Sequence, residues 1–324
     1  MNFEPVKRNS AYKKFVSDTR KGKLNHAYIF YSEDDALRET FLTLAVMNVH
    51  CKHGACGECE TCRQIMEGVY PEHIALDAKD KISVKDIEGL IESVSIKCVV
   101  GDRKTVVIDN AELLTPQVQN KLLKTYEEPP EYLTIFLGAK HENGLLSTIK
   151  SRGKKLYLED LSAADVAKEL TENGVDEETA FTAAAFSMGN YSKAEKFCSD
   201  EKYRETYEKT FEMMLNLKKS NQVPDYVYGG LFEADTIKIT LDFMEIILCD
   251  VLKIVTKSKL PLFTVDREYD VKKIAEGFTA ESAAAAIEQL NTARAYLASN
   301  VNATATAGKT LLGILEEKYT WRKK

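Results

Sequence analysis

The stretch TVVIDNAELLTPQVQNKLLKTYEEPPEYLTIFL, residues 105–137, decides the fold class. It begins with a short apolar run, Thr105 to Ile108, that is typical of a buried strand. Apolar residues at helical spacing follow from Pro116 to Glu127, and Pro129-Pro130 ends that helix. A second apolar run covers Leu133 to Leu137. A strand, a helix and another strand in this order predict parallel strands covered by helices.

The same pattern extends in both directions from this stretch. Tyr28 to Tyr31, His73 to Leu76 and Lys155 to Leu158 read as further short buried strands, and Leu37 to Val49 has helical spacing. These runs predict an α/β domain with a parallel sheet over residues 1–160.

Strand signals stop after Asp160, and the rest of the chain has helical patterns. Ser162 is a candidate N-cap residue, and helical spacing then continues to Phe197, which predicts a small helical domain over residues 161–202. Long helical segments, including Thr236 to Lys257 and Ala280 to Ser299, predict an all-α domain over residues 203–324.

Bulk composition excludes several classes of protein. Of the 324 residues 44% are hydrophobic and 29% charged, which is ordinary for a globular protein. No apolar run approaches the roughly 20 residues that span a bilayer, and the N-terminus MNFEPVKRNS has charges where a signal peptide needs its apolar core. We therefore expect a cytoplasmic protein without a membrane partner. The net charge of −6 argues against a chain that holds DNA mainly through its own phosphate contacts.

Four of the seven cysteines fall within twelve residues, at Cys51, Cys56, Cys59 and Cys62. The spacing C-x4-C-x2-C-x2-C lets four thiolates converge on one tetrahedral ion, with turns at Gly54 and Gly57. Zinc fits best, and a closed set of four thiolates predicts a structural module at residues 51–62. Buried unliganded cysteines and an iron–sulfur cluster remain as alternatives.

Three further segments resemble one known family. Leu24 to Tyr31 looks like the strand that leads into the phosphate-binding loop of clamp-loader subunits. Asn120-Lys-Leu-Leu-Lys-Thr-Tyr-Glu-Glu-Pro-Pro130 is very similar to the helix end after their Walker B strand. Leu145 to Gly153 resembles their segment ending in Ser-Arg-Cys, with Gly153 in place of the cysteine. The chain thus resembles the bacterial clamp-loader AAA+ family. The resemblance is clear over residues 24–160 and implies an AAA+ domain, a helical lid and a helical collar.

Compared with active members of that family, the chain has a degenerate nucleotide-binding site. Ser32 to Glu39 replaces the pattern G-x-x-x-x-G-K-[ST], so it lacks the glycines and the lysine and is acidic where phosphate would sit. Asp109 of the Walker B strand is retained, but Asn110 stands where active relatives have the acid that activates water. The degenerate site comprises Ser32, Glu33, Asp34, Asp35, Arg38, Asp109 and Asn110. We expect no ATP turnover, and no tight ATP binding, by this chain.

In the family, the arginine of the Ser-Arg-Cys motif enters a neighbour's ATP site as an arginine finger. The resemblance therefore implies that Arg152 acts in trans, because an arginine supplied across an interface stabilises developing phosphate charge. The implied function is that of a non-catalytic subunit of the delta prime type. Its implied partners are gamma/tau and delta subunits of the DNA polymerase III holoenzyme and, through the complex, a sliding clamp and primed DNA.

Two other functions compete with this one. An active clamp-loader ATPase of the gamma/tau type would need the missing phosphate-loop lysine. A stand-alone zinc-containing nucleic-acid-binding protein would need basic residues around the cysteines, where Lys52 and Arg63 stand beside Glu58 and Glu60. A mobility-shift assay for nucleic-acid binding by the isolated chain distinguishes this second alternative from the clamp-loader function.

Overall fold

The computed structural model describes residues 3–322 and forms two compact units. The first unit comprises the residues up to Leu161 together with Asn190–Ser192. The second comprises Ser162–Gly189 and the residues from Lys193 onward. A further division at residue 203, between a lid and a collar, stays a prediction.

A five-stranded parallel sheet lies at the centre of the first unit. Its order is β2-β3-β4-β1-β5, and each neighbouring pair is parallel. The expected parallel sheet is confirmed, and the five sequence-based strands agree with the observed ones to within two residues at either end. The strands are β1 (Ala27–Tyr31), β2 (His73–Asp77), β3 (Lys104–Asp109), β4 (Leu133–Ala139) and β5 (Lys154–Tyr157).

Helices of the first unit begin at residues suited to capping. The Asp34 side chain accepts a hydrogen bond from Leu37 N at the start of α3, and Thr115 caps α6 next to Pro116. Helices α3 and α6 match the sequence-based segments, whereas the other five helices of this unit were not predicted. The helices are α1 (Phe3–Arg8), α2 (Ser10–Arg20), α3 (Asp35–His50), α4 (Glu60–Met66), α5 (Val84–Ser95), α6 (Pro116–Glu127) and α7 (Ser147–Arg152).

Both faces of the sheet are covered, so the central strands are fully buried. On one face the rings of Tyr28, Phe30 and Phe136 pack against Phe15 of α2 and Phe41 of α3. The opposite face is mainly aliphatic and packs against α5, α6 and α7. This double coverage explains why the strands read as continuous apolar runs.

The second unit is helical throughout its described residues. As expected, Ser162 caps its first helix by accepting a hydrogen bond from Asp165 N. Phe186, Phe197, Tyr207 and Phe243 form an aromatic core in this unit. Within residues 3–322, none of the helices has the length and apolar character needed to cross a membrane. The helices are α8 (Ala163–Glu172), α9 (Glu177–Ser187), α10 (Tyr191–Ser199), α11 (Glu201–Asn216), α12 (Val223–Val227), α13 (Ile237–Val255), α14 (Glu268–Ala275), α15 (Ala280–Ala298) and α16 (Ala303–Arg322).

Candidate functional site

The carboxyl ends of β1, β3 and β4 meet at one edge of the sheet, where open α/β folds bind their ligands. The turn from β1 into α3 lies there, and β3 ends there with Asp109. Asn110 follows in the left-handed region, with φ of 52°, which asparagine tolerates better than most residues. This edge is the place at which the sequence puts the degenerate nucleotide site.

Arg38, in the first turn of α3, fills this edge with its side chain. Its guanidinium is fully buried and donates side-on to the Asp109 carboxylate, from Nε to Oδ1 at 2.6 Å and from Nη2 to Oδ2 at 3.2 Å. It also donates to Asp35 Oδ1 at 2.7 Å, Asn110 Oδ1 at 3.0 Å and the Ser32 carbonyl at 2.8 Å. Burial acts to lower the pKa of Arg38, but hydrogen bonds to Asp109 and Asp35 and their charges raise it above its ordinary value. The Arg38 guanidinium thus stays charged at this edge and is paired with carboxylates of the same chain.

Gly138 in β4 leaves space for the Arg38–Asp109 ion pair because it has no side chain. A Cβ atom on Gly138 would lie 2.1 Å from Asp109 Oδ1, far inside the normal contact distance, and a tight 3.1 Å from Arg38 Cδ. The glycine at this position is therefore explained by the close approach of the Arg38–Asp109 pair, a reason that the sequence alone did not give.

A carboxylate occupies the N-terminus of α3, where a helix would otherwise offer its free N–H groups to an anion. Asp34 is fully buried and accepts from Leu37 N at 3.2 Å, and also from Tyr191 N at 2.5 Å and Ser192 N at 3.2 Å. The Ser192 hydroxyl donates to Asp34 at 2.6 Å and accepts from Ala36 N at 2.9 Å. Side chains of the protein therefore use the donors that a phosphate would need.

Two lysines surround Asp35 at the solvent side of this edge. Lys140 Nζ and Lys79 Nζ lie 3.2 Å and 3.4 Å from Asp35 Oδ2, while Arg38 contacts the other oxygen. Burial acts to raise the pKa of Asp35, but the hydrogen bond and charge of Arg38 outweigh it and lower the pKa to about 2. Asp35 is thus ionised at neutral pH and shared among three cations.

The structure brings together six of the seven residues assigned to the degenerate site. Glu33 is the exception, since its side chain is exposed and lies outside this network. The sequence-based analysis did not identify Ser192, Lys79 or Asp77, whose Oδ1 accepts from Asn110 Nδ2 at 2.8 Å. Nothing in the Gly-Asn-Tyr-Ser sequence of residues 189–192 indicated a contact with Asp34.

The four clustered cysteines form a second site, and all four sulfur atoms lie within 4.8 Å of one another. Cys51 Sγ lies 3.7 Å from both Cys56 Sγ and Cys59 Sγ, and Cys56 Sγ lies 3.9 Å from Cys62 Sγ. Four sulfurs bound at about 2.3 Å to a tetrahedral ion are about 3.8 Å apart, so these thiols can hold one metal ion.

Backbone turns and helix ends hold the cysteines in place. Cys51 directly follows α3, Cys62 lies in α4, and the loop between them has positive φ at Gly54, Ala55 and Gly57. Burial acts to raise the pKa of Cys51, but hydrogen bonds from the backbone of Cys56 and His53 lower it to about 6. A thiol that ionises this readily is prepared for metal binding, because the thiolate is the ligand.

Arg152, the candidate arginine finger, is the last residue of α7. Its side chain is 38% exposed, with Nη2 2.8 Å from Glu127 Oε1 and Nη1 2.9 Å from the Thr148 carbonyl. Gly153 follows it, and a Cβ atom there would lie 2.6 Å from Ile29 Cγ1. The departure from the family's cysteine at this position is therefore explained by packing against β1, and the guanidinium stays accessible.

The half of the chain that contains the parallel sheet is similar to known proteins. Residues 7–162 match a model of the family described as DNA polymerase III, delta subunit. The tau/gamma subunit of DNA polymerase III from Haemophilus influenzae is 34% identical over 155 residues, which are 47% of this chain and 22% of that protein. The delta' subunit from Yersinia pestis is 31% identical over 157 residues, which are 46% of each chain. The matches thus span less than half the length of these curated relatives.

A gamma subunit-related protein of DNA polymerase III from Thermotoga maritima, solved as a crystal structure, is also similar. It is 17% identical with a TM-score of 0.41, over 94% of this chain and 99% of that one. By these sequence matches, residues 7–162 are similar to the clamp-loader AAA+ family of bacterial DNA polymerase III subunits.

Proposed function

We propose that this chain is a clamp-loader subunit of the delta prime type, which neither hydrolyses ATP nor binds it tightly. In this proposal it acts in the cytoplasm with gamma/tau and delta subunits, and the complex places a sliding clamp on primed DNA. The observation that carries the proposal is the Arg38 network, which fills the carboxyl edge of the sheet with the protein's own side chains.

Three physical obstacles oppose a triphosphate at this edge. The Asp34 carboxylate accepts from Leu37 N and the Ser192 hydroxyl accepts from Ala36 N at the start of α3, so a phosphate would have to displace a satisfied buried anion. The Arg38 guanidinium is already neutralised by Asp109 and Asp35. Asn110, a neutral amide that donates to Asp77, cannot accept a proton from an attacking water at neutral pH.

Calorimetric titration of ATP with magnesium into the purified, metal-loaded chain tests the nucleotide part of the proposal. We expect no saturable heat at high micromolar ATP and no release of phosphate by the isolated chain. Saturable binding of one ATP per chain would overturn this part, because the Asp34 and Arg38 contacts would then have to rearrange at small energetic cost.

The second part of the proposal assigns Arg152 to a neighbouring subunit's ATP site. Its exposure and its position at the end of a short helix suit a residue that reaches across an interface. The ion pair with Glu127 is solvent-exposed, and such pairs are worth only about 0–1 kcal/mol. A neighbour's phosphates can therefore compete for the guanidinium at little cost.

Arg152→Ala tests this role in the assembled complex, whose ATPase should fall by at least tenfold while assembly is retained. Lys121→Ala is the matched control, since Lys121 is 43% exposed and pairs with Glu88 at 2.7 Å, much as Arg152 pairs with Glu127. Equal ATPase rates for the two variants would exclude the arginine-finger role.

We also propose that the four clustered thiolates hold a structural zinc ion. The sulfur spacing fits a tetrahedral ion, and four cysteine ligands would leave no open position for a catalytic water. Bound zinc would link the end of α3 to α4 and fix the loop between them. The chain's own residues do no chemistry on it.

A further inference from the structure

Strand β2 forms one edge of the parallel sheet, and β3 is its neighbour there. Thr105 N of β3 donates to the Glu72 carbonyl at 2.9 Å, at the start of the contact between the two strands. Because successive residues of a strand direct their backbone groups to opposite sides, the N–H and C=O groups of Ala75 point away from β3. An edge strand of this kind offers a row of unpaired groups to another chain.

The centre of this edge is open to solvent. Ala75 lies in the middle of β2 and is exposed. Within residues 3–322, neither its N–H group nor its C=O group has a hydrogen-bond partner. A further strand could therefore pair with β2 without displacing an existing backbone contact of Ala75.

A groove with a volume of about 450 Å³ lies beside β2, on the face of the sheet that α3 covers. Its base is apolar and consists of buried side chains, namely Leu42 and Val46 of α3, Ile65 of α4 and Val107 of β3. Side chains of a strand alternate between the two faces of a sheet, so every second residue of an added strand would lie over this base.

The opposite face of β2 is also apolar. Ile74 and Leu76 are only partly buried there, against the aliphatic core. The other residues of an added strand would project over this face, where apolar side chains would complete the burial of Ile74 and Leu76.

The rim of the groove is acidic, and Glu39, Asp77, Asp80 and Asp109 line it. Arg38 neutralises Asp109, whereas none of the other three acids forms an ion pair with a residue in the described range. Desolvation, followed by the charge of Asp109, raises the pKa of Glu39, as expected for a carboxylate close to other acids. The groove therefore lacks the cations that would balance its rim.

We propose that the β2 edge and the adjoining groove bind an extended segment of a partner protein, in which lysine or arginine residues alternate with apolar residues, as a sixth strand of the sheet. The backbone of the segment pairs with Ala75. Its lysine or arginine stems lie over the apolar base, and their charged ends reach Glu39 and Asp80 at the rim. The intervening apolar side chains cover Ile74 and Leu76 on the other face. Such recognition takes its affinity from main-chain hydrogen bonds and its specificity from alternate side chains.

A second copy of this chain suits the edge less well than such a segment does. Pairing of β2 with the β2 strand of another copy would bring two acidic rims together, and like charges repel each other there. The inference goes beyond the proposed function, which requires no added strand at this edge.

Fluorescence anisotropy of a labelled hexapeptide with blocked ends, in which three lysines alternate with three valines, tests the proposal on the full metal-loaded chain. We expect saturable binding of one peptide per chain at low ionic strength. A peptide of the same composition, with its three lysines before its three valines, should bind about tenfold more weakly, because it cannot direct all its cations to one face. An alternating peptide of glutamate and valine should not bind.

One pair of variants tests the edge of the strand. Ala75→Pro removes the outward N–H group at a position where an edge strand tolerates proline, and it should weaken binding of the alternating lysine peptide about tenfold. Ala75→Val keeps the N–H group and should bind this peptide within about twofold of the parent chain.

A second pair of variants tests the rim. Glu39→Gln with Asp80→Asn should weaken binding about tenfold. The control, Glu212→Gln with Asp225→Asn, removes two exposed acids of the second unit and changes the net charge equally, so its affinity should stay within about twofold of the parent chain. Circular dichroism and metal content should match among all the variants.

Absence of saturable binding of the alternating lysine peptide, or equal binding of the two lysine peptides, would overturn the proposal. So would equal losses in the rim variant and its control. Dimerisation of the parent chain that Ala75→Pro abolishes, measured by light scattering, would assign the edge to a second copy instead. None of these outcomes bears on the ATP titration, which tests the proposed function separately.

Discussion

Replacing Arg38 by methionine should strongly destabilise the first unit. The methionine keeps most of the side-chain length but removes all five hydrogen bonds that the guanidinium donates. Asp109, which is 6% exposed, would be left without its cationic partner. Removing one member of a buried ion pair costs about 3–5 kcal/mol, since the remaining charge stays desolvated. We expect a loss of that size for Arg38→Met.

A second substitution separates the charge effect from simple loss of packing. In Arg38→Met with Asp109→Asn, no uncompensated carboxylate remains at the end of β3, so the double variant should be more stable than Arg38→Met alone. The coupling between the two positions should amount to about 2 kcal/mol, within the range for residues that share one network. Asp35 keeps Lys79 and Lys140 in both variants, so its contribution cancels.

Hydrogen exchange measured by mass spectrometry is the appropriate assay, because peptides covering β1 and β3 report on the first unit alone. The single tryptophan, Trp321, lies in α16 of the second unit and would report on the wrong part of the chain. Protection in β3 should fall in Arg38→Met and partly recover in the double variant. A loss below about 1 kcal/mol, or a double variant less stable than the single one, would refute the buried-pair reasoning.

Three further outcomes follow from the structure. Gly138→Ala should cost about 1–3 kcal/mol by overpacking against Asp109. Gly89→Ala is the control, since the added Cβ atom meets no atom within 4 Å and Gly89 lies inside α5, so this variant should be neutral or stabilising. Equal urea midpoints for Gly138→Ala and Gly89→Ala would contradict this. Burial lowers the pKa of His73 to about 4. As the pH falls, the unfolded chain therefore binds a proton before the folded chain does. The stability present above pH ~6.5 should decline toward pH 4, by up to about 1.4 kcal/mol per pH unit relative to His73→Gln. Parallel plots of stability against pH for the two proteins would exclude this. Elemental analysis should find about one zinc per chain and less in Cys59→Ser, whereas four titratable thiols and no metal in the folded protein would rule out the zinc site.

Local sequence patterns were sufficient to predict the strands, because a strand that is buried on both faces consists of consecutive apolar residues. Tyr28 to Tyr31 and Leu133 to Leu137 are apolar throughout, so their assignment needed no knowledge of neighbours. Helix α5 was missed although Ile87, Leu90 and Val94 share its buried face, and although Ser83 and Asp86 form a capping box. The helical spacing and the capping box were present in the sequence and were sufficient to predict this helix.

Contacts between distant residues could not be found in this way. The sequence predicted a set of residues for the degenerate site but not their contacts, because Arg38 and Asp109 are 71 positions apart. Their pairing depends on α3 crossing the sheet next to β3 and β4, and on the glycine at position 138. Ser192 lies 156 positions from Ala36, and no local pattern connects the two.

The Arg38 network also bears on how this chain can evolve. A substitution of Arg38 alone leaves the buried Asp109 carboxylate without its cationic partner and costs about 3–5 kcal/mol, a large share of the roughly 5–15 kcal/mol that stabilises a domain. Substitutions toward an ATP-binding loop would therefore have to arrive together at several positions to be tolerated. Under the proposed function, the network would therefore stabilise the state without a nucleotide site, because reversing it requires several coupled substitutions.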